Sequence, residues 1–315
     1  MEDVISVEHL IKKYKHGTTN AVDDISFSVK AGEFFTLLGP NGAGKTTTLS
    51  ILNTTLSKTS GSVKVAGFDL ETQSSQVRQS IGVIFQNPSL DLNLTAEENI
   101  RFHAILYGVY PFAPTYGLMP AKYKEKVQEL SKILDLHEKI FDQIKTYSGG
   151  MKRKLEIIRG LIHNPKILFL DEPTTGLDPL SRANLWEYIM NVRKELKTTI
   201  FLTTHYLEEA ENADTVLIIN HGKIISVGSP ASLKNEFVEE YITVDAKERK
   251  ALLKELQKHK LRFEGEGPFM IHLGKHSVQQ VIQLIKVKLN LIKVHTPTLE
   301  EAYLEVIKEN HDENT

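Results

Sequence analysis

An apolar run over residues 34–38 breaks off into Gly39, Pro40, Asn41, Gly42, Ala43, Gly44, Lys45 and Thr46, and helix-forming residues follow from Lys45. A strand, a glycine-rich turn and a helix in immediate succession leave few folds open, because strand and helix must pack as layers of one α/β unit. The spacing G-x-x-x-x-G-K-[ST] also has a chemical reading. Glycines let the backbone wrap an anion with its N–H groups turned inward. The helix N-terminus adds favourable partial charge. Lys45 is then placed to reach the β- and γ-phosphates of ATP, and the Thr46 hydroxyl to bind Mg²⁺. Thr47, next in the first turn, joins the same ATP-binding set. A chance glycine-rich loop is the competing explanation, and the flanking strand and helix weigh against it.

A second apolar run, residues 167–170, ends in Asp171 and Glu172 just before Pro173. Acids at the carboxyl end of a strand face the ligand crevice of an open α/β sheet. Asp171 would hold Mg²⁺ through water, and Glu172 would polarise the attacking water as general base. Two helix-capping acids are the bland alternative, a poor one beside the phosphate loop.

Shorter apolar runs at 5–7, 25–29, 81–85, 199–203 and 216–219, most of them separated by helix-like stretches, predict a largely parallel sheet covered on both faces. Between 87 and 146 the strand signal disappears. Thr95 with Glu98 makes a capping box before Ile100 and Phe102, and 121–136 is a second helical pattern, so this stretch reads as a helical subdomain inserted into the core. Within it, residues 108–120 form an irregular excursion in which Tyr110, Phe112 and Tyr116 sit among prolines and glycines. Either its rings fold back on Phe102 and Ile105, or they are exposed anchors for a partner.

Gly228, Ser229 and Pro230 mark a break, and 231–237 reads as a connecting helix. Beyond it the order strand, helix, strand, strand, helix, strand points to a small ferredoxin-like domain with one further helix. Ser277 with Gln280 and Thr298 with Glu301 cap its later helices. The expected division is therefore 1–235, with 87–146 as its helical part, and 236–315 as an α+β accessory domain. The polar stretch 310–315 is expected to fray.

A formal net charge of −2 supplies no positive field for nucleic acid. The absence of cysteine excludes disulfides and thiolate metal sites. Residues 1–10 lack the basic-then-apolar pattern of a signal peptide, and no apolar run approaches the roughly 20 residues a membrane span needs. Lys152, Arg153, Lys154 and Arg159 read, for most of their side chains, as a solvated helix face; the sharper alternative is a long-range attraction for ATP.

Taken in order, these residues resemble the ABC (ATP-binding cassette) ATPase family over about residues 5–227. The family's Leu-Ser-Gly-Gly-Gln signature stands here as Tyr147, Ser148, Gly149, Gly150 and Met151, just upstream of the two acids. Gln86 resembles the family's Q-loop glutamine, which senses Mg²⁺ and the attacking water. Gly176, Leu177 and Asp178 resemble its D-loop, and His205 resembles the switch histidine that contacts the γ-phosphate. Tyr14 sits where the family stacks an aromatic ring on adenine; a partly buried tyrosine is the other reading. The resemblance implies a P-loop NTPase cassette with a mixed-sheet core, an antiparallel β subdomain and a helical subdomain. It also implies a head-to-tail homodimer in which Ser148, Gly149 and Gly150 face the γ-phosphate held by the other copy.

Residues 296–306, Thr-Pro-Thr-Leu-Glu-Glu-Ala-Tyr-Leu-Glu-Val, resemble the extension of daunorubicin-resistance-type exporter ATPases. That implies ATP hydrolysis driving export through a separate ABC-2-type membrane permease, with this chain peripheral on the cytoplasmic face of the cell membrane. The alternative is a non-transport ATP clamp acting on ribosome or DNA. A single phosphate loop and the lack of basic surplus weigh against it. A subunit that binds but barely hydrolyses ATP is disfavoured by Glu172 and His205.

Overall fold

The computed structural model describes residues 2–86, 89–274 and 276–312. The chain divides into two compact units, Met1–Val227 and Gly228–Thr315. Asn87, where the helical stretch is expected to begin, and residues 313–315 of the expected tail lie outside the described residues; the last helix, Leu299–Asp312, runs further than the fraying expectation.

Two sheets build the first unit. Strands Val22–Lys30, Asp3–Lys12, Ser60–Val65 and Phe68–Asp69 form a four-stranded sheet in that order. Its printed pairings are antiparallel. The other sheet runs Lys223–Gly228, Thr215–Asn220, Phe34–Leu38, Thr199–Thr204, Ile167–Asp171, Ile81–Ile84. Its central pairings are parallel. Every residue of Phe34–Leu38, Ile167–Asp171 and Thr199–Thr204 is buried. Apolar cover on both faces is what lets these strands read as continuous apolar runs rather than alternating ones. The edge strand Lys223–Gly228 is only half-buried and turns back through His221 and Gly222, both with positive φ, the backbone of a tight hairpin.

The core joins the two sheets. Ile5, Val7, Ile25 and Val63 from the antiparallel sheet share one cluster with Phe35, Leu37, Phe169 and Phe201 from the parallel one. Phe27 stacks on Phe35 at 5.5 Å, and Phe35 on Phe201 at 5.2 Å. Gly61 in Ser60–Val65 takes φ +99, where an added Cβ would lie 2.4 Å from the His9 carbonyl oxygen. That close approach puts a glycine inside a strand and hides the strand from a reading of apolar runs.

Residues between strands Ile81–Ile84 and Ile167–Asp171 are helical, as expected: Ala96–Leu106 and Ala121–Ile133, both packed against Gly149–Leu161. Thr95 and Glu98 form the capping box. Tyr110 and Tyr116 fold back, but onto Tyr123 rather than Phe102 and Ile105, with ring centroids 5.3 and 6.3 Å away. The Arg101 guanidinium holds the excursion from beneath by donating to the Ala113 and Pro114 carbonyls, each at 2.9 Å. Phe112 alone of the three rings stays out in solvent, 73% exposed.

The second unit is a four-stranded antiparallel sheet in the order Phe263–Glu264, Phe269–His272, Tyr241–Ala246, Leu289–Val294. Helices Arg249–Lys258 and Val278–Leu284 provide the crossovers. In chain order that is 2-3-1-4, the ferredoxin-like topology. The division falls at 227/228 rather than 235/236, because helix Pro230–Phe237 packs on Leu299–Asp312 of its own unit. Among the described residues no helix is long and apolar enough to cross a membrane.

Candidate functional site

Parallel register brings four strand ends to one line. Leu38 pairs with Thr204, Asp171 with Thr203 and Ile84 with Leu170. The residues that follow, Gly39, His205, Glu172 and Gln86, therefore emerge along one edge of the sheet, where an open α/β sheet forms its ligand crevice. A cavity of about 490 Å³ lies there, lined by Ala21, Asn41, Gly42, Gly44, Lys45, Thr46, Thr47, Gln86, Glu172, Thr175, His205 and Tyr206.

The glycine-rich turn is shaped by backbone rather than side chains. Gly42 and Gly44 take φ +82 and +109, values that L side chains rarely adopt. Gly39 is demanded by packing instead: a Cβ there would stand 2.2 Å from the Ile219 carbonyl oxygen. Pro40 and Ala43 close the turn through an Ala43 N–H donated to Pro40 O. Helix Lys45–Leu52 begins with no side-chain cap. Helices Gly149–Leu161, Pro179–Leu196 and Pro230–Phe237 are each capped by a Ser or Asp side chain. An uncapped first turn keeps its N–H groups available, which suits an anion.

Lys45 is buried, and its ammonium donates to Gly39 O at 2.7 Å and Pro40 O at 3.0 Å. Loss of hydration lowers its pKa, against the opposing pull of Glu172, 3.7 Å away, and of Asp171. Burial pushes the Asp171 carboxyl up, while the Thr203 hydroxyl, donating at 2.5 Å, pulls it back. The Thr46 hydroxyl lies 3.5 Å from Asp171. Glu172 is the hub: His205 Nδ1 stands 3.2 Å away, and Gln86 Nε2 and the Thr175 hydroxyl each donate to it at 3.4 Å. Its φ of +44 is a left-handed conformation that a glutamate adopts only at a cost.

The oxygen set fits Mg²⁺. One hydroxyl and one buried carboxylate side by side are what that ion takes from protein when substrate phosphates and water fill its other positions. No cluster of three or more His, Asp or Glu side chains able to hold a metal occurs among the described residues, so a dedicated all-protein cage is not what this site offers.

Tyr14 stands outside the crevice lining, 47% exposed, with its hydroxyl 3.3 Å from Thr47 Oγ1 and Lys12 Nζ 5.4 Å above its ring. An exposed ring beside the loop can take a planar base on its open face. Ser148, Gly149, Gly150 and Asp178 do not line the crevice. Ser148 caps Gly149–Leu161 by accepting from Met151 N at 3.2 Å. Asp178 caps Pro179–Leu196 and accepts from Ser181 N and Oγ. These two helix starts face one another, since a Cβ on Gly150 would lie 3.4 Å from Ser181 Oγ. Tyr147 is buried, with its hydroxyl on Lys139 O at 2.7 Å, and burial raises its pKa to about 12.

Two sequence readings need correction or addition. Arg153 is no solvated residue. It is 3% exposed and donates to Phe85 O at 2.6 Å, Gln86 O at 3.0 Å and Glu156 at 2.8 Å. Its neighbours are engaged too: Arg159 bonds Ser89, and Lys154 lies over the Tyr188 ring. The helix after the signature thus anchors the backbone that presents Gln86, a tie that helical periodicity cannot reveal. Thr203, Thr175, Ala21 and Tyr206 were not foreseen. Thr203 left a trace, since a hydroxyl inside a wholly buried strand must have a partner.

Comparison with known proteins agrees with this geometry. The ABC transporter family profile matches residues 22–175. The chain is 40% identical over 233 residues to YbhF of Escherichia coli, named a probable multidrug ABC transporter ATP-binding protein, covering 74% of this chain and 38% of that one. It is 38% identical to the doxorubicin resistance ATP-binding protein DrrA of Mycobacterium tuberculosis, covering 79% of this chain and 72% of DrrA. Among solved structures, cbiO1 of Clostridium perfringens, part of the ABC transporter complex cbiONQ, superimposes with a TM-score of 0.66 at 27% identity, covering 75% of this chain and 92% of that one. The crevice, the motif order and these matches agree: the chain belongs to the ABC transporter family, as one of its ATP-binding proteins.

Proposed function

We propose that this chain is the ATP-hydrolysing motor of an exporter: two copies close head to tail around two ATP molecules and drive a separate ABC-2-type permease from the cytoplasmic face of the membrane. The observation that carries the reading is Glu172, held between Lys45, Gln86 and His205 at the mouth of an uncapped glycine-rich turn. Backbone N–H groups from Asn41 to Thr47, other than that of Ala43, receive the β- and γ-phosphates, and Lys45 exchanges its two carbonyl partners for phosphate oxygens, which as charge-assisted contacts are stronger. Thr46 and, through water, Asp171, with Gln86 beside them, would hold Mg²⁺, which when bound would neutralise charge on the phosphates. Glu172 takes a proton from the attacking water as general base, and His205 holds the γ-phosphate. Tyr14 stacks on adenine. Ser148, Gly149, Gly150 and Asp178 complete the site of the second copy, which accounts for their lying apart from the crevice of their own chain.

Relatives named for drug resistance support export, and a motor that works with a separate permease is compatible with the described residues holding no helix long and apolar enough to cross a membrane. Glu172→Gln keeps the shape and loses the base. It should bind ATP with near-native affinity, reduce turnover at least a hundredfold, in line with general-base contributions of about 10²–10⁴, and accumulate an ATP-dependent dimer on size exclusion. Near-native turnover at full ATP occupancy would contradict the role assigned to Glu172.

A further inference from the structure

Just past His205 the chain makes a single helical turn, Leu207–Ala210, that carries a buried carboxylate, Glu209, 3% exposed. One of its oxygens accepts from the Thr174 hydroxyl, and the other accepts from the Thr204 hydroxyl at 2.6 Å. Both threonines are fully buried. Thr174 lies two residues after Glu172, and Thr204 immediately precedes His205. The Thr204 hydroxyl also accepts from Tyr206 N at 2.9 Å, which leaves its proton for Glu209.

We infer that Glu209 is a positioning residue for hydrolysis: its carboxylate clamps the segment carrying Glu172 to the segment carrying His205. The inference rests on the ATPase reading above. Neighbouring bonds fit the same purpose. Thr203 donates its hydroxyl to Asp171 and accepts Glu172 N at 3.0 Å with its carbonyl, so consecutive threonines of one strand grip the acidic segment from both sides. Arg182, in the helix capped by Asp178, stacks on Tyr206 with 4.6 Å between guanidinium carbon and ring centroid. The two segments are thereby tied at three levels around the 3.2 Å approach of His205 to Glu172. A leucine would fill the volume of Glu209 without the cost of desolvating a charge. What the carboxylate adds is a bridge of fixed length between Thr174 and Thr204, beyond the strand pairing that already joins the two segments.

The clamp should act on turnover and not on nucleotide capture, because the Glu209 carboxylate bonds Thr174 and Thr204, neither of which lines the crevice, and only its backbone meets the lining residue Tyr206. The test uses the purified full chain, with steady-state ATPase assays, affinity for the non-hydrolysable analogue AMP-PNP, and melting temperature. Glu209→Ala should lower kcat by about 10- to 100-fold, the scale of a misplacement near 1 Å, with analogue affinity within about twofold of wild type. Glu209→Gln should retain most activity, since its amide oxygen accepts from one threonine and its NH₂ donates to the other once that hydroxyl turns. In a His205→Ala background, Glu209→Ala should cost little more, because a residue acting through another is non-additive with it. Thr174→Val keeps shape and loses only the hydroxyl, and carries the same test should Glu209→Ala fail to fold. Unchanged kcat in Glu209→Ala and Thr174→Val, full additivity with His205→Ala, or an equal fall in analogue affinity overturns the clamp. A wild-type chain that binds AMP-PNP but hydrolyses no ATP, or one indifferent to Glu172→Gln, overturns the functional reading and the clamp with it.

Discussion

Arg153 and Glu156 show how a single pair can carry stability and catalysis by separate routes. Both are buried 2.8 Å apart; desolvation lowers the pKa of the arginine and raises that of the glutamate, and their mutual attraction opposes both shifts. Arg153→Met leaves Glu156 as an unpaired buried charge and should cost about 3–5 kcal/mol in urea unfolding. Adding Glu156→Leu should recover most of that loss, since an apolar pair of similar volume replaces an ion pair at little penalty. ATPase activity should stay low in the double variant, because the carbonyls of Phe85 and Gln86 still lack their guanidinium. Recovery of stability and turnover together would remove the anchoring role. Lys45→Ala belongs to the same scale: it deletes a charge-assisted phosphate contact and should weaken ATP binding and abolish hydrolysis, as titration and turnover assays would read.

At the scale of elements, the helical part is tied together by groups that respond to substitution and pH in predictable directions. Tyr116 packs edge-on against Tyr123 and Phe141, whereas Phe112 packs on neither. Tyr116→Ala should lower the melting temperature by several degrees, and Phe112→Ser should leave it unchanged, as differential scanning calorimetry would show. His103 lies 4.2 Å from the ring of Tyr107, which stacks on His163, and burial, with the charges of Arg159 and His163, pushes its pKa down from 6.5 to about 3. Between those values the unfolded chain binds a proton at this position that the folded chain refuses. Stability therefore falls as pH drops from 6.5 toward 3 and gains nothing from this group above 6.5. Urea midpoints measured across that window should slope less for His103→Phe than for wild type.

For the whole molecule, the boundary at 227/228 decides where the chain can be cut. A chain ending after Gly228 keeps both sheets of the first unit and the entire crevice, so it should fold and bind ATP. One ending after Phe237 also keeps helix Pro230–Phe237, whose fully buried Leu233 loses cover from the second unit. It should bind ATP equally but aggregate more readily, which light scattering at matched concentration would detect.

The linear order of residues was enough to locate the phosphate-suited turn, Asp171 and Glu172 at the end of strand Ile167–Asp171, Gln86, His205 and the capped helices, because each depends on neighbours within a few positions in the chain. Glycine conformations, caps and fully apolar strands are local physics. The ferredoxin-like second unit was legible for the same reason: alternating elements and short turns leave few ways to pair four strands. What depended on distant residues meeting was not legible. Glu209 reaches Thr174 across 35 positions, Arg153 reaches Phe85 across 68, and Gly61 is set by the carbonyl of His9. Arg153 looked like solvent-facing charge because helical spacing reports which residues share a face and not what covers it. Tertiary structure alone decided those partners, since a buried polar group takes its meaning from the group that satisfies it, and that group is chosen by how the sheets and helices pack.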